Sequence, residues 1–123
     1  YKVDPNAFDS EIITWSRYWS DIFNESPPLD PNIIKALMDS ESSFNPKVKD
    51  QKVSKSNFAR GLMQITDETR KILSDENGEL KDHYLTLSSK NVMNPSIAIS
   101  ASIRWLFHKR ELANKRLGKN ASW

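Results

Sequence analysis

The sequence predicts a mainly α-helical single domain, with a short loop or β-hairpin inserted after its second helix. Three observations carry this reading. Asp30-Pro31 and Asn94-Pro95 each set an N-cap acceptor before a proline, whose ring suits the first helical position. After Asp9 and after both of these signals, large apolar residues recur at the three-and-four spacing of one helical face. That spacing lapses between Pro46 and Ser56, where Val48 and Val53 give only a faint strand signal among lysines.

Composition narrows the functional classes. A chain of 123 residues that is 37% hydrophobic is long enough for one real core. A net charge of +2 is too mild to argue for nucleic acid, and the turn after the central helix is too long for a helix-turn-helix reader. With no cysteine, no disulfide framework is expected. His83 and His108 lie far apart, so no ligand spacing for a metal is present. Only three glycines occur, without a phosphate-binding loop or a nucleophile elbow, and no cofactor is expected. No apolar run is long enough to span a membrane. The chain starts at Tyr1 and lacks a signal-peptide pattern, so it reads as a processed or excised piece.

The elements follow in order. Asp9 or Ser10 can cap a first helix whose apolar stripe is Ile12, Trp15, Trp19, Ile22 and Phe23. The two tryptophans share that stripe, which favours core packing over sugar stacking. Pro27-Pro28 links to the central helix, where Ile34, Leu37, Met38 and Glu41 fall on one face. Asn32, Lys35, Asp39 and Ser42 take the wetter face. Phe44-Asn45-Pro46 should end the helix, because a residue before proline is pushed out of the helical region. Glu41 thus stands at the negative end of a helix, on an apolar stripe. Desolvation and the dipole should both raise its pKa, suiting it to general-acid chemistry. A side chain that merely reaches out to solvent is the equally open alternative.

Lys47, Lys49, Lys52 and Lys55 make the following segment an exposed basic loop or short hairpin. Gly61 permits a backbone conformation or close approach closed to other residues. Thr66 or Asp67 caps a third helix, with Arg70 and Lys71 toward its end. Asn77-Gly78 marks a turn, and the chain to Lys90 reads as polar loop with one short helical turn. The last helix should run from Pro95 to about Leu117, with Ile99, Ile103, Leu106 and Phe107 inward and Gly118 as its stop. Arg104, Lys109, Arg110, Lys115 and Arg116 read as its solvated basic face.

Glu41-Ser42-Ser43-Phe44-Asn45-Pro46, followed by Ala59-Arg60-Gly61-Leu62-Met63-Gln64-Ile65, closely resembles the soluble lytic transglycosylase family, relatives of goose-type lysozyme. The run from Asn94-Pro95 to Trp105-Leu106 is similar to a third block of that family. The blocks span about Pro31 to Leu106, most of the chain. The resemblance implies a lysozyme-like, mainly helical domain with a groove for the glycan strand of peptidoglycan. Glu41 falls on the family's catalytic position, and Ser42 on its companion. Gly61, Met63 and Gln64 belong to the block that binds substrate beside the acid.

In that family one glutamate cleaves the β-1,4 bond between N-acetylmuramic acid and N-acetylglucosamine. It protonates the glycosidic oxygen, then as carboxylate takes the proton from the sugar's own 6-hydroxyl while an internal 1,6-anhydro ring closes. No cofactor or metal is implied. The partners implied are peptidoglycan strands, with room for protein partners in a larger envelope assembly. The implied location is the cell envelope, periplasm or exterior.

The chain departs from the family pattern in three places. The segment from Glu41 to Gly61 is longer than usual, and Phe58 stands where a glycine is common. Ala98, Ser102 and Trp105 replace the usual Asn, Gly and Tyr. The chain stops at Trp123, before the Ala-Tyr-Asn-Gly-like segment that supplies a tyrosine near the acid, so a C-terminally incomplete fragment is expected. A hydrolytic lysozyme on the same scaffold and a non-catalytic glycan-binding module stay open as alternatives. Hydrolysis calls for a second carboxylate, and Asp50 and Asp67 are the acids in segments that could face Glu41.

Overall fold

A computed structural model describes residues 4–48, the backbone of 51–54, residues 57–118 and residue 123. Its elements are α1 (Asp9–Ile22), α2 (Pro31–Ser42), β1 (Gln51–Ser54), β2 (Asn57–Arg60), β3 (Ile65–Thr66), α3 (Asp67–Ser74), a 3-10 turn (Asn91–Met93) and α4 (Pro95–Leu117). The predicted starts of α2 and α4 hold in detail. Asp30 accepts from the Asn32 N–H at 3.0 Å and Asn94 from the Ile97 N–H at 3.1 Å, each before a proline in the first turn. Gly118, in the left-handed region, ends α4 as expected.

Helix α1 starts where the sequence places it, but neither candidate cap acts as one. Phe8 occupies the cap position without a side-chain hydrogen bond. The Asp9 carboxylate instead pairs with Lys35 of α2 at 2.9 Å. Ile12 and Trp19 are buried, while Ile22 is exposed and lies off the packed stripe. The tryptophans are core residues that also satisfy their polar ends. Trp15 Nε1 donates to Ser96 at 2.9 Å and Trp19 Nε1 to Ser100 at 3.1 Å, riveting α1 onto α4.

Helix α2 stops earlier than the proline requires, and by a different device. Its last residue is Ser42; Ser43 and Phe44 then take two successive left-handed conformations, at φ 52° and 64°. The pre-proline restriction falls on Asn45, too late to make the stop. Side chains resist the left-handed region, so something must hold this turn. Phe44 packs against the core, and the Ser43 N–H bonds the Asp39 carbonyl at 2.9 Å.

The inserted segment is a hairpin extended into a three-stranded antiparallel sheet of order β1-β2-β3, with an irregularity between Lys52 and Ser54. Asp50, Lys49 and Lys55 lie outside the described residues, as do the side chains of Lys52 and Val53. Between β2 and β3, Gly61 sits at φ +78°, and a Cβ there would stand 2.9 Å from the Val92 carbonyl oxygen. Gly61→Ala should therefore cost about 2–3 kcal/mol, from left-handed strain plus a clash with backbone. Denaturant unfolding checks this; an unchanged midpoint would mean that the contact relaxes freely.

Two stretches read as polar are partly core. Leu80 and Leu87, in the segment called polar loop, are buried, and the short helical turn falls just beyond it at Asn91–Met93 with Val92 fully buried. On α4, Arg104 is 4% exposed and so is no part of a solvated face. Its guanidinium donates to the carbonyls of His83 and Asp82, each at 3.2 Å, and lies 4.9 Å from the Phe23 ring centre. Burial pushes its pKa down from the usual value. Arg110 pairs with Glu25 and covers the Trp123 ring. The core of Ile34, Met38, Leu62, Leu73, Ile99 and Ile103 joins α2, α3, α4 and the sheet turn, and one face of it opens as a groove.

Candidate functional site

The groove encloses about 330 Å³ and is lined by Leu37 and Glu41 of α2, by Met63, Gln64, Ile65 and Thr66, by Thr69 and Leu73 of α3, and by Ala101, Ser102, Trp105, Leu106 and Lys109 of α4. Three of the five residues that the sequence singled out meet here: Glu41, Met63 and Gln64. Ser42 and Gly61 are not among the lining residues. Ser42 Oγ donates back to the Met38 carbonyl at 3.3 Å, and Gly61 packs against the Val92-Met93 backbone. Ser42 stands at the end of the helix that carries Glu41, and Gly61 in the turn that leads to Met63 and Gln64.

Each side chain is placed by local structure. Glu41 is the penultimate residue of α2, on the stripe of Ile34 and Met38. Those two are fully buried, whereas Glu41 emerges at the lip and is exposed. Of the two positions the sequence left open for Glu41, the side chain takes the one that reaches solvent. The expected direction of its pKa shift holds: burial against the groove wall pushes the Glu41 pKa above the ordinary carboxylate value. Gln64 takes φ 50°, and its side-chain amide folds back to donate to the Gly61 carbonyl at 2.9 Å. Met63 is buried at 4% exposure and supplies apolar wall.

Asp67 has another task. Thr66, not Asp67, caps α3, accepting from the Thr69 N–H at 3.1 Å. The buried Asp67 carboxylate binds Arg60 Nε at 3.1 Å, accepts the Phe58 N–H at 3.2 Å and faces Arg70 at 3.7 Å. The Arg60 hydrogen bond is the first cause of its lowered pKa, and the Phe58 N–H and both arginine charges outweigh the opposing effect of burial. Asp67 does not line the groove. Among the described lining residues Glu41 is the only acid.

Sequence reasoning missed the α4 wall. Ala101, Ser102, Trp105, Leu106 and Lys109 recur at helical spacing, a second stripe beside the buried one, and this spacing was the available signal. Lys109, read as solvated surface, lines the groove with its ammonium 5.3 Å from the centre of the Trp105 ring. A larger cavity, about 590 Å³, lies on the opposite side of α4 and includes Arg104, His108, Glu25 and Arg110. It holds none of the residues of the three sequence blocks before Arg104. Much of its charge is engaged in the Arg110–Glu25 and Lys115–Glu111 pairs.

Among the described residues no cluster of His, Cys, Asp or Glu could hold a metal, and no helix is long and apolar enough to cross a membrane. No curated protein and no solved structure matches the chain. The family model described as the Transglycosylase SLT domain matches residues 22–120, from the last residue of α1 through α2, the sheet, α3 and all of α4. With a mainly helical lysozyme-like fold and most of its length inside that match, the chain belongs to the transglycosylase SLT domain family.

Proposed function

We propose that the chain cleaves the β-1,4 bond between N-acetylmuramic acid and N-acetylglucosamine in peptidoglycan, leaving a 1,6-anhydro end, with Glu41 as the single catalytic group. Family membership carries a lytic-transglycosylase-type function directed at peptidoglycan, in a family that is typically extracytoplasmic. The finer reading rests above all on one observation: Glu41 is the only acid among the described residues lining the groove, while Asp67 is committed to Arg60, Arg70 and the Phe58 N–H.

In the first half of the reaction the protonated Glu41 gives its proton to the glycosidic oxygen as the bond from that oxygen to C1 of the muramic sugar breaks. The groove wall favours the neutral acid needed for this step. In the second half the Glu41 carboxylate removes the proton of the 6-hydroxyl, whose oxygen bonds to C1. Glu41 ends protonated, as it began, and no water is consumed. A second carboxylate to activate water, as hydrolysis requires, has no candidate in the described groove.

Met63 and Gln64 line the sugar-binding wall, Gly61 sets the turn that carries them, and Ser42 fixes the end of the acid's helix. Action in the cell envelope, periplasm or exterior follows from the substrate. Incubation with purified peptidoglycan tests the reading. Soluble glycan-peptide fragments should be released; binding without any release would reduce the domain to a glycan-binding module.

A further inference from the structure

On the α4 side of the groove, Lys109 is exposed, and among the described residues its ammonium lies within ion-pair distance of no carboxylate. What holds it is the Trp105 ring, one helical turn earlier, at 5.3 Å. Trp105 is itself braced by the His108 ring at 5.5 Å, so the platform beneath the ammonium is anchored in buried structure. Glu41 lines the same groove, yet burial alone accounts for the shift of its pKa. Lys109 is therefore not the group that tunes the acid. A cation held over an aromatic face, with no carboxylate partner among the described residues and in a groove lined by a single described acid, suits a ligand with an apolar sugar face and a negative charge beside it.

We propose that Lys109, positioned by Trp105, is a specificity residue that binds a carboxylate of the glycan substrate and so selects acid-bearing strands over neutral ones. This rests on the glycan-cleaving reading above. In peptidoglycan the carboxylate has two sources. The stem peptide carries carboxylates, and a muramic acid stripped of its peptide exposes its lactyl carboxylate. Neutral chitin oligosaccharides carry neither, though their sugar rings present the same faces.

Calorimetric titration of Glu41→Gln chain, which holds substrate without consuming it, compares three soluble probes. These are chitohexaose, a peptide-free muramic-acid oligomer and a peptide-bearing one. The acid-bearing oligomers should bind more tightly than chitohexaose, and raising the salt concentration should narrow the gap. Adding Lys109→Met should lower the ratio of acid-bearing to neutral affinity about tenfold, the usual scale for a hydrogen bond to a charged group, and Lys109→Arg should restore it. Whichever acid-bearing probe loses affinity identifies the carboxylate read.

An unchanged ratio in Lys109→Met, or a ratio insensitive to salt in the unsubstituted lysine chain, would overturn the proposal. Peptidoglycan release by the chain with native Glu41, run in parallel, separates this failure from failure of the enzymatic reading. Release with an unchanged ratio removes only the role of Lys109, whereas no release removes the reading beneath it.

Discussion

Glu41→Gln should abolish release of glycan fragments, with a loss of at least about a thousandfold, while the fold survives with its melting temperature close to unchanged. In the proposed mechanism the loss is large because one group serves as both acid and base, and an amide can do neither. The stability change is small because Glu41 is exposed at the groove lip and, among the described residues, no hydrogen bond or ion pair depends on its charge. The sign of its pKa shift points the same way. A raised pKa stabilises the folded chain at pH below the unfolded value, and that contribution is lost as pH rises through the folded value. At neutral pH the charge therefore does nothing for the fold. The same shift predicts that cleavage declines as pH rises through the Glu41 pKa, because the first step needs the protonated acid. Rates of fragment release across pH, with circular dichroism of the variant, check both parts; cleavage near the original rate in Glu41→Gln would remove it from catalysis.

The largest stability effect should come from Asp67→Ala, at about 3 kcal/mol. The carboxylate is buried among Arg60, Arg70 and the Phe58 N–H, and its removal takes the acceptor from that backbone donor and the facing negative charge from both arginines. Its folded pKa is lowered, first by the Arg60 hydrogen bond. That contribution is therefore fully present above the unfolded value of about 3.9 and is lost as pH falls through the folded one. Urea unfolding at neutral pH and again below about pH 4 should show the difference between native and variant chains shrinking with acid. A variant as stable as the native chain at neutral pH would show that the network is dispensable.

Helix starts and the core stripe were legible because they depend on local chemistry. Asp30-Pro31 and Asn94-Pro95 state their caps within a few residues, and Ile34, Met38, Ile99 and Ile103 state their burial by spacing. The end of α2 was not legible. Ser43 and Phe44 adopt left-handed conformations that neither residue type favours, held by packing that comes from elsewhere in the chain. Arg104 misled for a related reason: its burial is made possible by carbonyls more than twenty residues away, at Asp82 and His83.

In the site, Glu41 and the Met63-Gln64 turn could be read because each lies in a compact motif. Its exposure could not, since helical spacing says which stripe a residue shares but not where the stripe emerges from the core. Lys109 and Trp105 were hidden by the same ambiguity. On a helix with both a buried and a basic face, the residues between the two are those that line a groove.

Mass spectrometry of the fragments released from peptidoglycan tests the central claim most directly. With the 6-hydroxyl of the substrate as nucleophile and Glu41 as the only acid on the described groove wall, the products should end in 1,6-anhydromuramic acid and be one water lighter than hydrolytic fragments. Fragments with reducing ends, lost when Asp50 or Asp67 is replaced by Asn, would contradict it and assign the groove to hydrolysis.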